Sequence, residues 1–190
     1  VPHLPPGAWR RILVHRSDLL TTLEVVNKRS QNLYAESVLK VLGAEVCRRG
    51  SWDGGIEAVE EFLVPIGLPA GSYELADGSG MSRRNRASAR QVTTLLEAMF
   101  RHRYSAEFVA TLPYSGERGL SWERRLAEDP YRGNVFAKTG RLAGVSTLSG
   151  YAKGTSGRVY AFSILCNRTS GDWGAKAAQD EIVRAIVRHG

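Results

Sequence analysis

Cysteine, histidine and lysine are scarce in this 190-residue chain, and each scarcity removes a class of chemistry. The two cysteines, Cys47 and Cys166, are too few for a disulfide-stapled scaffold and are expected as free, buried thiols. His3, His15, His102 and His189 are scattered, without HExxH or any paired spacing suited to zinc, so neither a metal nor another cofactor is expected. No apolar run approaches the ~18–20 residues a membrane-spanning helix needs. The lead VPHLPPGAWRR has neither a start methionine nor the apolar stretch of a signal peptide, and it reads as the cut edge of a longer chain. Lysine is confined to Lys28, Lys40, Lys138, Lys153 and Lys176, so a catalytic lysine has few candidates.

What is present is an ordinary core-forming composition, 43% hydrophobic and 24% charged, which makes one globular domain rather than a disordered tail or a fibre. The formal charge of +7 favours anionic partners: nucleic acid, anionic lipid or an anionic wall polymer. Arg83-Arg84-Asn85-Arg86, with Arg90 beyond, is the one local support for nucleic acid. It reads more simply as a solvated loop and helix start, and no zinc-finger, basic-zipper or RNA-binding pattern accompanies it. No nucleic-acid partner is expected.

Periodicity and capping residues lay out the elements. Trp9–His15 alternates and is β-prone, predicting a short strand. Ser17 and Asp18 cap a helix through Leu19, Leu20, Leu23 and Val26, and the polar break Asn27–Asn32 ends it. A second helix carries Leu33, Val38, Leu39 and Leu42, with Gly43 as its left-handed C-cap and Glu36–Lys40 as a surface pair. Asp53 caps a helix bearing Ile56, Val59, Phe62 and Leu63, stopped by Pro65 and Gly67. Residues 67–87 form a long connection turning at Asp77–Gly80; Ser88 and Gln91 make a capping box for a helix with Val92, Leu95, Leu96 and Met99. A short helix follows Ser105 and stops at Leu112-Pro113. Strands are expected at Val135–Lys138, Val145–Ala152 and Arg158–Asn167, the last two a hairpin through Lys153–Gly157. A final helix from Asp172 presents Ile182, Val183, Ile186 and Val187. Helices followed by an antiparallel meander and a closing helix give an α+β fold, antiparallel sheet packed against helices.

Two tripeptides carry the chemistry: Ser30-Gln31-Asn32 between two helices, and Lys138-Thr139-Gly140 at a strand end leading into a turn. Each has a plain reading when taken alone. Ser30 and Asn32 terminate one helix and cap the next; Lys138 is an exposed edge-strand lysine. Together, in this order, they are the second and third elements of active-site serine acyl transferases such as penicillin-binding proteins and β-lactamases. Acyl transfer to serine needs a proton relay, a cation for a substrate carboxylate and donors for the oxyanion. Ser30 can relay a proton to the leaving amine, Asn32 can bond a substrate peptide group, and Lys138 supplies positive charge. Thr139 offers a hydroxyl to a terminal carboxylate, Gly140 lets substrate lie against the strand edge, and the Arg141 amide can donate to the oxyanion.

The surrounding sequence resembles one family specifically. NKRSQNLYAESVLKVLG is similar to the second-motif segment of the D-alanyl-D-alanine carboxypeptidase/endopeptidases, the penicillin-binding protein 4 class of peptidase family S13. Asn27-Lys28-x-Ser30-x-Asn32-Leu33-x-Ala35-Glu36 is that family's hallmark. LADGSGMSRRN, LPYSGERGL and VFAKTGRLAGVSTLSGYA resemble its later segments, in order, from Trp9 to the final helix. The family's first motif, S-x-x-K, lies upstream of S-x-N and supplies the acylated serine. The one literal match here, Ser37-Val38-Leu39-Lys40, comes after Ser30 and mid-helix, so it is read as a chance match and the nucleophile as lying outside these residues. Ser79 and Ser82 are read as structural. Arg141 stands where the family commonly has Thr or Ser, and Gln31 where it often has Asp.

The resemblance implies that residues 1–190 are the C-terminal portion of a single penicillin-binding domain of transpeptidase/β-lactamase-like fold. It implies a serine-type D-Ala-D-Ala carboxypeptidase or endopeptidase acting on peptidoglycan stem peptides outside the cytoplasm and inhibited by β-lactams. Ser30, Asn32 and Lys138 would be catalytic, Thr139, Gly140 and Arg141 substrate-binding, and a missing N-terminal segment carrying S-x-x-K the partner of this chain. The alternative is a nucleophile-free relative that binds wall peptides without turnover.

Overall fold

The computed structural model describes residues 12–14 and 16–190. Trp9–Arg11 and His15 of the expected first strand lie outside the described residues, and Ile12–Val14 form no strand and are exposed. Helix α1 spans Leu19–Arg29, and the Asp18 carboxylate caps it by accepting from Thr21 N at 2.8 Å. The expected polar break is shorter than the composition suggested: Asn27–Arg29 are helical, and only Ser30 and Gln31 separate α1 from α2 (Asn32–Cys47). Ser30 makes the break by adopting the left-handed conformation, φ 52° and ψ 47°, uncommon for a residue with a side chain.

Gly43 does not end α2. The helix runs four residues further and is closed by Arg48 in the left-handed conformation. Gly43 is instead buried where α3 (Trp52–Leu63) crosses: a Cβ on it would meet the Gly55 backbone, and one on Gly55 would meet the Leu39 carbonyl. Its missing side chain serves helix–helix approach, not a cap. The α3 cap is Ser51, whose hydroxyl accepts from Gly54 N; Asp53 sits within the first turn, favourably placed against the helix dipole. Val64–Ile66 close α3 as a 3-10 turn. The connection to α4 (Ala89–Arg101) holds one isolated bridge, Glu74–Arg86, and the Ser88–Gln91 capping box forms as expected. Helix α5 spans Ser105–Thr111.

Three antiparallel strands follow in the order β1 (Val135–Leu142), β2 (Val145–Lys153), β3 (Val159–Asn167), then α6 (Asp172–His189). Alternation along β1 and β2 divides their side chains between two layers. Val135, Ala137, Leu148 and Ala152 pack with Val183 and Val187 of α6 and with Trp122, Leu126 and Tyr131. Phe136 and Tyr151 pack on the other face with Leu96 of α4 and Phe108 of α5. The α6 stripe is centred differently from expectation: Gln179, Val183 and Val187 are buried, whereas Ile182 falls on the flank and is 45% exposed. Gln179 is satisfied by donating to Ser146 Oγ and accepting from Arg125. The result is a helix–sheet–helix α+β fold. Cys47 and Cys166 are free thiols, half-buried rather than buried. No helix among the described residues is long and apolar enough to cross a membrane.

Candidate active site

Strand β1 does not stop at Lys138. It continues through Thr139-Gly140-Arg141 to Leu142, and the turn falls at Ala143-Gly144. Gly140 lies within the strand rather than at its end and faces Thr147 across the strand pair, where a Cβ would strike the Thr147 hydroxyl. Its spareness is a cross-strand requirement.

The strand's parity sets what each residue presents. Ala137 N donates to Pro113 O, and Val135 O accepts from Ser115 N, so odd-numbered residues turn their backbone groups away from β2. Thr139 and Arg141 therefore direct their N–H and C=O to that same outer edge. Even-numbered side chains face the layer of α1 and α5. Lys138 accordingly leaves the sheet toward Ser30, and its ammonium donates to Ser30 Oγ at 2.6 Å and to the Thr139 carbonyl at 2.7 Å. Two residues 108 apart in sequence thus meet. Burial holds the Lys138 ammonium below the ordinary lysine range, easing loss of its proton. Lys138 is half-buried rather than a solvated edge lysine.

Ser30 does terminate α1, but Asn32 caps nothing: it is the first residue of α2, whose N-cap is Gln31 with no side-chain bond. Asn32 stands exposed one turn-start beyond Ser30. Thr139, Gly140 and Arg141 also line a cavity of about 610 Å³ on the α6 side, with Arg124, Lys176 and Gln179 among its walls. The two tripeptides thus converge through Ser30 and Lys138, while the side chains of Thr139 and Arg141 project to the opposite face of the sheet from Lys138.

Polar residues around this pair went unassigned in the sequence. Asn27 Nδ2 donates to Thr111 Oγ1 at 2.7 Å, and Lys28 Nζ donates to Glu117 at 2.8 Å. Glu36 does not form its expected pair with Lys40. Its carboxylate accepts from Trp52 Nε1, Gly78 N and Ser79 N, and Lys40 lies 3.7 Å from the Trp52 ring centroid. Burial opposes the Glu36 charge, but these donors outweigh it and lower its pKa. Asp77 organises the same loop, accepting from Gly80 N, Ser82 N and Asn85 Nδ2. Nothing in local periodicity marks these contacts; the signal in the sequence is that Asn27, Lys28 and Glu36 belong to the hallmark run around Ser30. Ser37 donates to the Leu33 carbonyl in mid-helix and is exposed, which agrees with its reading as a chance match. Arg83 donates to Ala143 O and Arg86 pairs with Glu74, so the basic run is partly engaged within the fold. Cys47, Glu57 and Glu61 bring possible metal-ligand atoms within 4.8 Å of one another, two of the three being exposed carboxylates.

Residues 5–188 match the D-Ala-D-Ala carboxypeptidase 3 (S13) family. The chain belongs to this family. It is 39% identical over 192 residues to a D-alanyl-D-alanine carboxypeptidase of Actinomadura sp. strain R39, a match covering 97% of this chain and 35% of that protein. Among solved structures it resembles penicillin binding protein 4 (dacB) of Haemophilus influenzae, crystallised with a β-lactam. The TM-score is 0.77 at 27% identity, covering 88% of this chain and 41% of the other. A class A β-lactamase from Bacteroides cellulosilyticus shares the fold, with a TM-score of 0.63 at 16% identity. The S13 chain described here spans about a third of the length of the curated relatives it matches.

Proposed function

We propose that this chain is the C-terminal portion of the penicillin-binding domain of a serine-type D-Ala-D-Ala carboxypeptidase or endopeptidase acting on peptidoglycan stem peptides outside the cytoplasm. The observation that carries the reading is the 2.6 Å contact between Lys138 and Ser30. In this reading the attacking serine belongs to an S-x-x-K segment beyond residues 1–190. Its oxygen adds to the carbonyl of the scissile D-Ala–D-Ala bond, and the tetrahedral oxyanion is held by the Arg141 amide on the outer edge of β1. Collapse breaks the C–N bond as Ser30 relays the proton released by the attacking serine to the leaving amine, while the positive charge of Lys138 holds Ser30 in place. Water then cleaves the acyl-enzyme and regenerates the serine. Asn32 orients the substrate peptide group, Gly140 lets the substrate lie close against the edge of β1, and Thr139 takes the terminal carboxylate where the substrate overhangs that edge toward the α6 side.

The test is labelling by a fluorescent penicillin. The whole protein takes up one label on a serine outside residues 1–190, and Ser30→Ala and Lys138→Ala each slow uptake by about 10²–10⁴-fold. The isolated chain stays unlabelled, and Ser37→Ala changes nothing. Acylation of Ser37 overturns its reading as a chance match and puts the nucleophile within this chain, whereas a whole protein that binds stem peptides yet takes up no penicillin favours a binding relative without turnover.

A further inference from the structure

Ser30 is exposed, one residue beyond the end of α1, and α1 has no buried residue of its own. Apolar packing alone therefore does not fix where that helix end stands, yet Ser30 Oγ sits 2.6 Å from Lys138. Two polar tethers leave the last turn of α1 for one short segment. Asn27 donates to Thr111, which is 2% exposed, and Lys28 bonds Glu117 with both side chains largely buried. The Glu117 carboxylate is itself shared: one oxygen takes Lys28, and the other accepts from Tyr114 N at 3.1 Å. The segment it belongs to is zipped to the start of β1, through Ala137 N to Pro113 O and Ser115 N to Val135 O. The next residue along that strand after Ala137 is Lys138.

These contacts form a closed path from Ser30 back through α1, across to residues 111–117, onto β1 and out to Lys138. We propose that Lys28 and Glu117 are positioning residues, a latch whose ion pair sets the separation of Ser30 and Lys138. The inference rests on the reading of those two residues given above. Lys28 also meets Glu24 at 2.9 Å on its own helix, an exposed contact that ties α1 only to itself. Glu24 is thus the internal control: it shares the lysine but not the path. Burial works against the Lys28 charge, and the bonds from Glu117 and Glu24 outweigh it and raise the pKa, so the latch stays charged at neutral pH.

The experiment measures acylation of the whole protein by a fluorescent penicillin, together with the NMR signal of the Lys138 side chain in lysine-labelled protein, assigned by its loss in Lys138→Met. Lys28→Met and Glu117→Gln each slow acylation about tenfold or more, because a misplaced relay group costs rate steeply. Each also shifts the Lys138 signal. Lys28→Arg, which keeps the charge, stays near the parent in both, and Glu24→Gln matches the parent. Should Lys28→Met fail to fold, Asn27→Ala severs the other tether and is expected to act in the same direction. Parent-like acylation and an unmoved Lys138 signal in folded Lys28→Met and Glu117→Gln overturn the latch, as does an equal loss in Glu24→Gln. If the parent itself takes up no penicillin, the enzymatic reading fails, and the Lys138 signal alone still decides the latch.

Discussion

An ammonium moved from water into a half-buried site is easier to deprotonate, and Lys138 shows that effect in the direction of its pKa. The folded value lies below the unfolded one, so between them the unfolded chain binds the proton more tightly. Stability accordingly rises as the pH climbs from the lowered value toward the ordinary 10.5. Thermal melts of Lys138→Met should fall at or above the parent at pH 7, and the gap should close above pH 10.5; a clear loss of stability at pH 7 contradicts this. Tyr151 gives the opposite sign. Burial lifts its phenol to about 12 while the hydroxyl donates to Leu96 O at 2.6 Å. Its stabilising contribution is complete below pH 10 and is lost as the pH passes through 12. Burial also raises Tyr73, so an alkaline absorbance titration should show more than one of the seven tyrosines ionising late, and Tyr151→Phe should remove the latest step. At this scale the sequence was informative about residue types and silent about partners. Ser30 and Lys138 stood out by their motifs, whereas Lys28 with Glu117 and Asn27 with Thr111 are pairs that only the folded chain brings together.

The helices were legible where a local rule decides them. Asp18 at the start of α1 and the Ser88–Gln91 box at the start of α4 are hydrogen bonds within one turn, and both are made. One misreading turns on glycine. Gly43 has a local meaning, a cap, and a tertiary one, close approach, and the tertiary meaning holds. Ser37 and Leu33 show the reverse case, a helical hydroxyl doing only what local geometry allows. The crossing of α2 on α3 makes this measurable. Alanine in place of Gly55 gains ~1 kcal/mol of helix propensity but drives a methyl into the Leu39 carbonyl, a backbone atom with little room to move. Overpacking of this kind costs roughly 1–3 kcal/mol. Gly55→Ala should therefore lower the melting temperature, by about 2–4 °C per kcal/mol of net loss in a domain of this size. A variant as stable as the parent would mean the helices part without cost.

At the scale of the molecule, charge and edges matter most. The +7 excess is spread over a surface in which Arg83 and Arg86 already have partners, so no duplex DNA should be retained at physiological ionic strength in an anisotropy titration. Strand β3 pairs only with β2 among the described residues, and its sequence VYAFSILCN contains no charge and no proline. Such an edge promotes pairing between copies. The isolated chain should associate with rising concentration, and Val159→Lys, at a position already 43% exposed, should reduce light scattering. The opposite edge is different in kind. At the start of β1 the sheet is bound to residues 113–115, and at its far end Arg83 reaches the Ala143 carbonyl from the loop that Glu36 fastens to α2. Helical layer and strand are thereby braced at both ends of β1. An extended peptide that pairs with the outer edge of β1 therefore has only the stretch between those two contacts to use, which limits the length of backbone it can lay down there.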